Sequence, residues 1–160
     1  MMQIVRGLDE QFARLHGRSL ALVRVVAPDK LYSQPPRDRA ISLPVYSCGE
    51  QILRSAAAVE QTFGGINANL WDDPFEWTLP EALPTPARVA QYLNEAEETR
   101  LRAFQSFRED SDLSKEIATP SGEMMTVFAL VAETLVRAAH HQGMAYATFR
   151  LFSDERLPRV

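Results

Sequence analysis

The chain has 160 residues, of which 46% are hydrophobic and 24% charged, a composition typical of one globular domain spanning 1–160. Its net charge of −4 at pH 7 disfavours nucleic-acid binding, because a phosphate backbone is usually met by clustered basic side chains. Neither a signal peptide nor a membrane span is expected, since the start lacks a basic segment followed by an apolar one and no apolar run is long enough.

The one cysteine, Cys48, excludes an internal disulfide and a cysteine-based zinc cluster, and it favours a cytoplasmic location. Cys48 lies near a predicted helix start, where its pKa could be lowered. A buried small residue is the preferred interpretation.

Ten prolines leave four long proline-free stretches, and proline is excluded from helix interiors. Each stretch carries apolar residues three and four apart, which predicts one amphipathic helix per stretch. The first helix is predicted over about 4–27, with an apolar stripe that includes Phe12 and Leu15. His16 lies beside this stripe and is interpreted as structural.

The second helix is predicted over about 47–66. It begins with Ser47-Cys48-Gly49-Glu50, which fits a capping box: the Ser47 hydroxyl can accept from the Glu50 backbone N–H, and the Glu50 carboxylate can reach back.

About 20 residues, including Trp71, Phe75 and Trp77, connect the second and third helices. A loop of this length is usually functional or packs on the domain, and the aromatic side chains favour packing. We therefore expect a long crossover here, whereas its acidic residues are interpreted as solvated. They are Asp72, Asp73, Glu76 and Glu81.

The third helix is predicted over about 86–109, from a Thr85 N-cap and Pro86, with a stripe interrupted by Arg100. After roughly ten residues the fourth is predicted over about 122–152, with Ser121 as its cap and Glu123 in its first turn. No strand is predicted. Four helices with one apolar face each predict an all-α four-helix bundle.

Three segments resemble proteins of the DinB/YfiT-like family, the DinB superfamily. They are YSCGEQILRSAAAVEQTF at 46–63, LVRAAHHQGMAYATFRL at 135–151, and the turn APDKLYSQPP at 27–36. The resemblance implies a four-helix bundle that holds a metal through three histidines, one from the second helix and two, four residues apart, from the last. It also implies a homodimer, and metal-dependent hydrolase or thiol transferase activity.

Two of the three ligand positions depart from this pattern. They are occupied by Arg54 and Arg137, and only His141 matches. A guanidinium is permanently charged and has no lone pair to offer a metal. We therefore expect no cofactor; if one is bound, a divalent metal such as Zn or Ni is expected.

Arg54, Arg137 and His141 could instead form a positive pocket for a carboxylate or phosphate. The preferred interpretation is that each arginine belongs to an ion pair, since Glu50 precedes Arg54 by four residues and Glu133 precedes Arg137 by four. Arg54 is also expected to face solvent.

The adjacent His140 and His141 point about 100° apart on a helix and cannot share an ion as residues four apart can. His140 is expected to be exposed. His141 is expected to be partly buried and hydrogen-bonded.

Three functional hypotheses follow. The first is a DinB/YfiT-like bundle with a degenerate metal site that acts as a binding or scaffold protein. The second is a metal-dependent thiol transferase or hydrolase with rearranged ligands near His141, for which Glu50, Glu133 and Glu98 are candidates. The third is a pocket for a small anion. Expected partners are a second copy of the chain and a small anion or thiol, without nucleic acid or membrane.

Overall fold

The computed structural model describes residues 2–36 and 45–158. The expected all-α four-helix bundle is confirmed, since helices account for most of the described chain. The helices are α1 (Gln3–Val25), α2 (Cys48–Ala68), α3 (Pro86–Ser106) and α4 (Val127–Phe149).

Helix α2 packs between α3 and α4, while α1 packs against α3 and α4 and lies diagonally opposite α2. Glu60 bonds Tyr92, and Asn67 bonds Thr99 seven residues further along both helices, so α2 and α3 run parallel. Parallel helices that follow each other in sequence need a long return connection. Residues 69–85 form this return connection, which is the long crossover predicted from the sequence.

The start of α2 matches the sequence prediction. The Ser47 hydroxyl accepts from the Glu50 backbone N–H at 3.2 Å, and the Glu50 carboxylate accepts from the Ser47 N–H at 2.7 Å. The helix ends at Ala68, two residues beyond the predicted end, with Asn69 left-handed at a φ of 55°.

The ends of α1 and α3, in contrast, were predicted too late. Helix α1 stops at Val25 instead of 27, and the extended Val26 leads the chain toward Pro28, which could not continue the helix. Helix α3 starts at Pro86 with the Thr85 cap that was predicted, but stops at Ser106 instead of 109.

The prediction for the start of the fourth helix was wrong. A short antiparallel hairpin pairs Glu116–Ala118 with Met124–Thr126, where no strand was expected, and its turn needs Gly122 at a φ of 81°. Because this backbone is not helical, Ser121 is not the cap and Glu123 is not in the first turn.

Thr126 caps α4 instead, and its hydroxyl accepts from the Ala129 N–H at 3.2 Å. The connection from α3 thus spans residues 107–126, about twice the predicted length. At its other end α4 stops at Phe149 instead of 152, and the chain continues in turns.

The core consists of two apolar clusters at the two ends of the bundle. Leu22, Ile52 and Val89 belong to one cluster, and Phe12 and Phe63 belong to the other. The rings of Phe12 and Phe63 meet edge to face with centroids 5.1 Å apart. This geometry is favourable for aromatic pairs.

Helix α1 is capped from a distance. Asp110 accepts from the backbone N–H groups of Gln3, Ile4 and Val5, each at 3.0 Å. A carboxylate at this end of a helix also interacts favourably with the helix dipole. The connection between α3 and α4 is thereby joined to the first turn of α1.

Across residues 2–36 and 45–158, no helix has the length and apolar character needed to cross a bilayer.

Candidate functional site

The candidate site lies on the surface formed by α2 and α4. These helices are antiparallel, and their register is set by Gln51 with His141 and by Ser55 with the carbonyl of Ala138. Arg54 and Arg137 immediately precede Ser55 and Ala138 in sequence. Arg137 therefore lies about one helical turn before His141 on α4. Arg54 lies about one turn after Gln51, the partner of His141, on the antiparallel α2, so both arginines are displaced from His141 in the same direction.

His141 is half-buried, and its Nδ1 lies 2.8 Å from Oε1 of Gln51. If the amide oxygen accepts at this contact, Nδ1 carries the proton and Nε2 carries the lone pair of the neutral ring. The expected partly buried, hydrogen-bonded histidine is confirmed.

The pKa of His141 lies below its usual 6.5. Burial is the largest cause, followed by the positive charges of His140, Arg54 and Arg137. Arg54 and Arg137 therefore both lie within electrostatic range of His141. Each positive neighbour disfavours the imidazolium form.

Arg54 packs against two aromatic rings. Its guanidinium carbon lies 3.7 Å from the ring centroid of Tyr46 and 4.8 Å from that of Phe75. The expectation that Arg54 faces solvent was wrong, because Phe75 of the crossover covers it and leaves it half-buried. Guanidinium faces stack well on aromatic rings and keep their N–H edges available for hydrogen bonds.

The preferred ion-pair interpretation was also wrong. Within the described ranges, no carboxylate forms an ion pair with Arg54 or Arg137. Glu50 is already used at the start of α2, where its carboxylate also accepts from Gln34 at 3.1 Å. Glu133 is exposed beside Arg137 without such a contact.

Arg137 is exposed at the edge of an open cavity of about 370 Å³ between α2, α4 and the hairpin. Trp71 of the crossover and Thr119 of the hairpin also line this cavity. A ligand held by Arg137 would therefore have room to extend away from His141.

His140 is exposed, as expected, and its ring meets that of His141 at 67° with centroids 5.6 Å apart. The two imidazoles are thus oriented differently, which fits the expectation that they cannot share an ion as residues four apart do.

The residues present do not fit a three-ligand metal site. Arg54 and Arg137 occupy two of the positions where the sequence resemblance implies histidine ligands, and His141 already bonds Gln51 through one nitrogen. In the part of the chain that is described, no three His, Cys, Asp or Glu side chains come close enough together to hold a metal ion. Glu50, Glu133 and Glu98 therefore do not assemble around His141.

Cys48 is buried, in agreement with the preferred interpretation. Burial raises the pKa of its thiol to about 12, so the helix N-terminus does not activate it. His16 is half-buried, and burial is the main reason that its pKa is lowered.

The crossover packs through some of its aromatic residues and not through others. The indole of Trp71 lies on α2, where a Cβ on Gly65 would stand 2.3 Å from it, so only glycine fits there. Phe75 stacks on Arg54, whereas Trp77 is 44% exposed. Asp72 is exposed, as expected for a solvated acidic residue.

Tyr46 and Phe75 were not identified as site residues from the sequence. An aromatic residue next to the capping box is a weak signal, and Phe75 reaches Arg54 only through the path of the crossover.

The chain matches no protein-family model, and neither the curated proteins nor the solved structures include a significant match to it.

Proposed function

We propose that this chain is a DinB/YfiT-like binding protein that holds a small anion, a carboxylate or a phosphate, where the family resemblance places a metal. The observation that supports this best is the grouping of Arg54, Arg137 and His141 without a carboxylate partner for either arginine among the described residues. Two permanent positive charges then remain available to one ligand.

The stacking of Arg54 supports recognition of a planar or tetrahedral anion. Because Tyr46 and Phe75 both pack against the guanidinium, its orientation is restricted before a ligand arrives. Its N–H edge can form two parallel hydrogen bonds to one carboxylate or phosphate. Less conformational entropy is then lost on binding than for a free arginine.

His141 couples this site to protons. In the free protein, its lowered pKa favours a neutral ring beside the two arginines. A bound anion would offset their positive charge and favour the imidazolium, whose Nε2 could donate a hydrogen bond. Anion binding should therefore raise the pKa of His141 and be accompanied by proton uptake at this ring.

The metal-dependent alternative, a thiol transferase or hydrolase with rearranged ligands, receives no support from the ranges described, which offer no group of three suitable side chains. Elemental analysis of the untagged protein addresses it directly. About one equivalent of Zn or Ni per chain would contradict our proposal.

A homodimer remains part of the proposal, as the resemblance implies. Large apolar residues are exposed on α4, among them Phe128 at 47% and Val136 at 70%. Exposed apolar surface of this kind favours association. A cytoplasmic location is likewise proposed, on the basis of the single buried thiol. Sedimentation velocity measures the oligomeric state.

The main test is thermal unfolding with inorganic phosphate at constant ionic strength. A ligand that binds only the folded state raises the melting temperature, by about 3–5 °C at tenfold excess over Kd for a domain of this size. Arg137→Gln should lose this shift.

The matched control is Arg14→Gln, which removes the same charge from an exposed position on α1. It should keep the shift. Equal shifts in the two variants, or no shift in the parent protein at about 20 mM phosphate, an ample excess for a millimolar site, would refute the proposal.

A further inference from the structure

A second, separate cavity lies between α2, α3 and the crossover. It measures about 460 Å³ and is open to solvent, within the size range of sites for small organic molecules. We call it the α2–α3 groove. The residues that matter most in its lining are Glu60, Gly64, Leu70, Asp72, Trp77 and Arg102.

The crossover presents two exposed apolar side chains to the groove, beside the carboxylate of Asp72. Leu70 is 59% exposed and Trp77 is 44% exposed, although both are large hydrophobic side chains next to one cavity. Exposed apolar surface rimmed by polar residues is typical of a ligand groove. It could cover the apolar or aromatic body of a ligand.

Glu60 supplies a fixed acceptor on the α2 side. Its carboxylate accepts from the hydroxyl of Tyr92, which is only 4% exposed and anchors it from α3. Tyr92 is the only described residue that donates to Glu60, so a carboxylate with about four acceptor positions retains capacity for a ligand. Burial also raises the pKa of Glu60, a perturbation common at binding sites.

The charges along the groove favour a cation. Among the described residues that line it, Glu60 and Asp72 are carboxylates and Arg102 is the one guanidinium. Arg102 is exposed, and its Nη2 donates to the Thr99 hydroxyl at 3.2 Å. Its charge is therefore well screened, whereas that of Glu60 is less exposed to solvent.

We propose that the α2–α3 groove binds a small organic amine, with its ammonium group on Glu60 and its apolar or aromatic body against Trp77 and Leu70. An ammonium can donate to the free carboxylate positions, and a cation near an indole gains further attraction. This inference does not depend on the anion site, since the two sites share none of their charged residues.

The test uses 2-phenylethylamine as the probe and the indole N–H signal of Trp77 as the readout. The NMR spectrum should contain two indole N–H signals, because the chain has two tryptophans. The Trp77→Phe variant lacks the signal of Trp77 and thereby assigns it. We expect a saturable shift of this signal at millimolar amine, because one ion pair and one ring contact give modest affinity.

Two further probes separate charge from apolar contact. The neutral 2-phenylethanol and the anionic 3-phenylpropanoate have similar bodies, and both should bind at least about tenfold more weakly if a charged hydrogen bond is lost. Equal affinity for the alcohol, tighter binding of the anion, or no shift of the Trp77 signal with the amine would each overturn the proposal.

Variants locate the ammonium group. Glu60→Gln keeps the size of the side chain and an acceptor for Tyr92, and it should weaken amine binding about tenfold. Glu10→Gln makes the same charge change at an exposed position on α1, outside the groove lining; it should have little effect. Equal effects in both variants would overturn the assignment. If Glu60→Gln does not fold, Asp72→Asn on the crossover should weaken binding in the same direction.

Discussion

The hydroxyl oxygens of Thr62 on α2 and Thr134 on α4 lie 2.7 Å apart in the buried interior. The Thr134 hydroxyl also donates to the carbonyl of Leu130 at 2.8 Å. Because a hydroxyl has one proton, Thr62 must be the donor between the two threonines. The direction of this hydrogen bond leads to an unequal effect of removing either partner.

Thr134→Val should be the more destabilising substitution. It leaves the Thr62 hydroxyl buried without its acceptor, which costs about 1–3 kcal/mol, whereas Thr62→Val leaves Thr134 still bonded to Leu130. The double variant should lose less free energy of unfolding than the sum of the losses in the two single variants. Urea unfolding of all four proteins measures the coupling, and simple additivity would contradict the bond.

A second buried contact joins α1 to α3. Arg100 is 1% exposed and donates to Asp9 of α1 and, at 2.8 and 2.6 Å, to both carboxylate oxygens of Glu97. Arg100→Met should destabilise the fold by about 3 kcal/mol, because it leaves the largely buried Glu97 carboxylate without its partner.

Arg102→Met is the matched control for Arg100→Met. It lies two residues further along α3 but is exposed, so its effect should stay within about 0.5 kcal/mol. Unfolding of both variants in guanidinium chloride measures the two losses in stability. Similar losses in the two would mean that the buried network contributes little.

The position of the helix caps gives a third test. Thr126→Ala should destabilise the protein by about 1 kcal/mol, because Thr126 accepts from the Ala129 N–H at the start of α4. Ser121→Ala should have almost no effect, since Ser121 lies in the exposed hairpin turn. Chemical denaturation of both distinguishes the observed helix start from the one predicted.

The helices could be predicted because proline positions and apolar spacing are local properties, and the Ser47–Glu50 box and the Thr85 cap lie within single segments. The hairpin after α3 was missed because its strands of three residues carry too few side chains to show alternation. Arg100 interrupts the apolar stripe of α3 in the sequence, yet its partner Asp9 lies 91 residues away.

The candidate site was predictable only in part. The sequence identified Arg54, Arg137 and His141, and the register of α2 and α4 gathers them on one surface. It also suggested ion pairs of Arg54 with Glu50 and of Arg137 with Glu133, neither of which is present in the described ranges. The stacking of Phe75 on Arg54 depends on where the crossover passes, and no local pattern encodes that path.

The lowered pKa of His141 predicts how stability depends on pH. Burial, followed by the charges of His140, Arg54 and Arg137, holds this pKa below the value of about 6.5 expected in the unfolded chain. At a pH between the folded and unfolded pKa values, the unfolded chain binds more protons than the folded one. The stability contributed by neutral His141 is therefore complete above about pH 6.5 and is lost as the pH falls through the folded pKa. His16, whose pKa is also lowered, acts in the same direction.

Comparison with His141→Gln isolates the part due to His141, because His16 is present in both proteins. The parent should lose more stability than the variant between about pH 7.5 and 5, a range that brackets the unfolded pKa.

In an NMR titration of the His141 ring, Arg137→Gln should raise the pKa of His141 and Arg14→Gln should leave it unchanged. Saturating phosphate should raise it in the parent but not in Arg137→Gln. A His141 pKa that responds to neither arginine nor phosphate would separate this histidine from the proposed anion site.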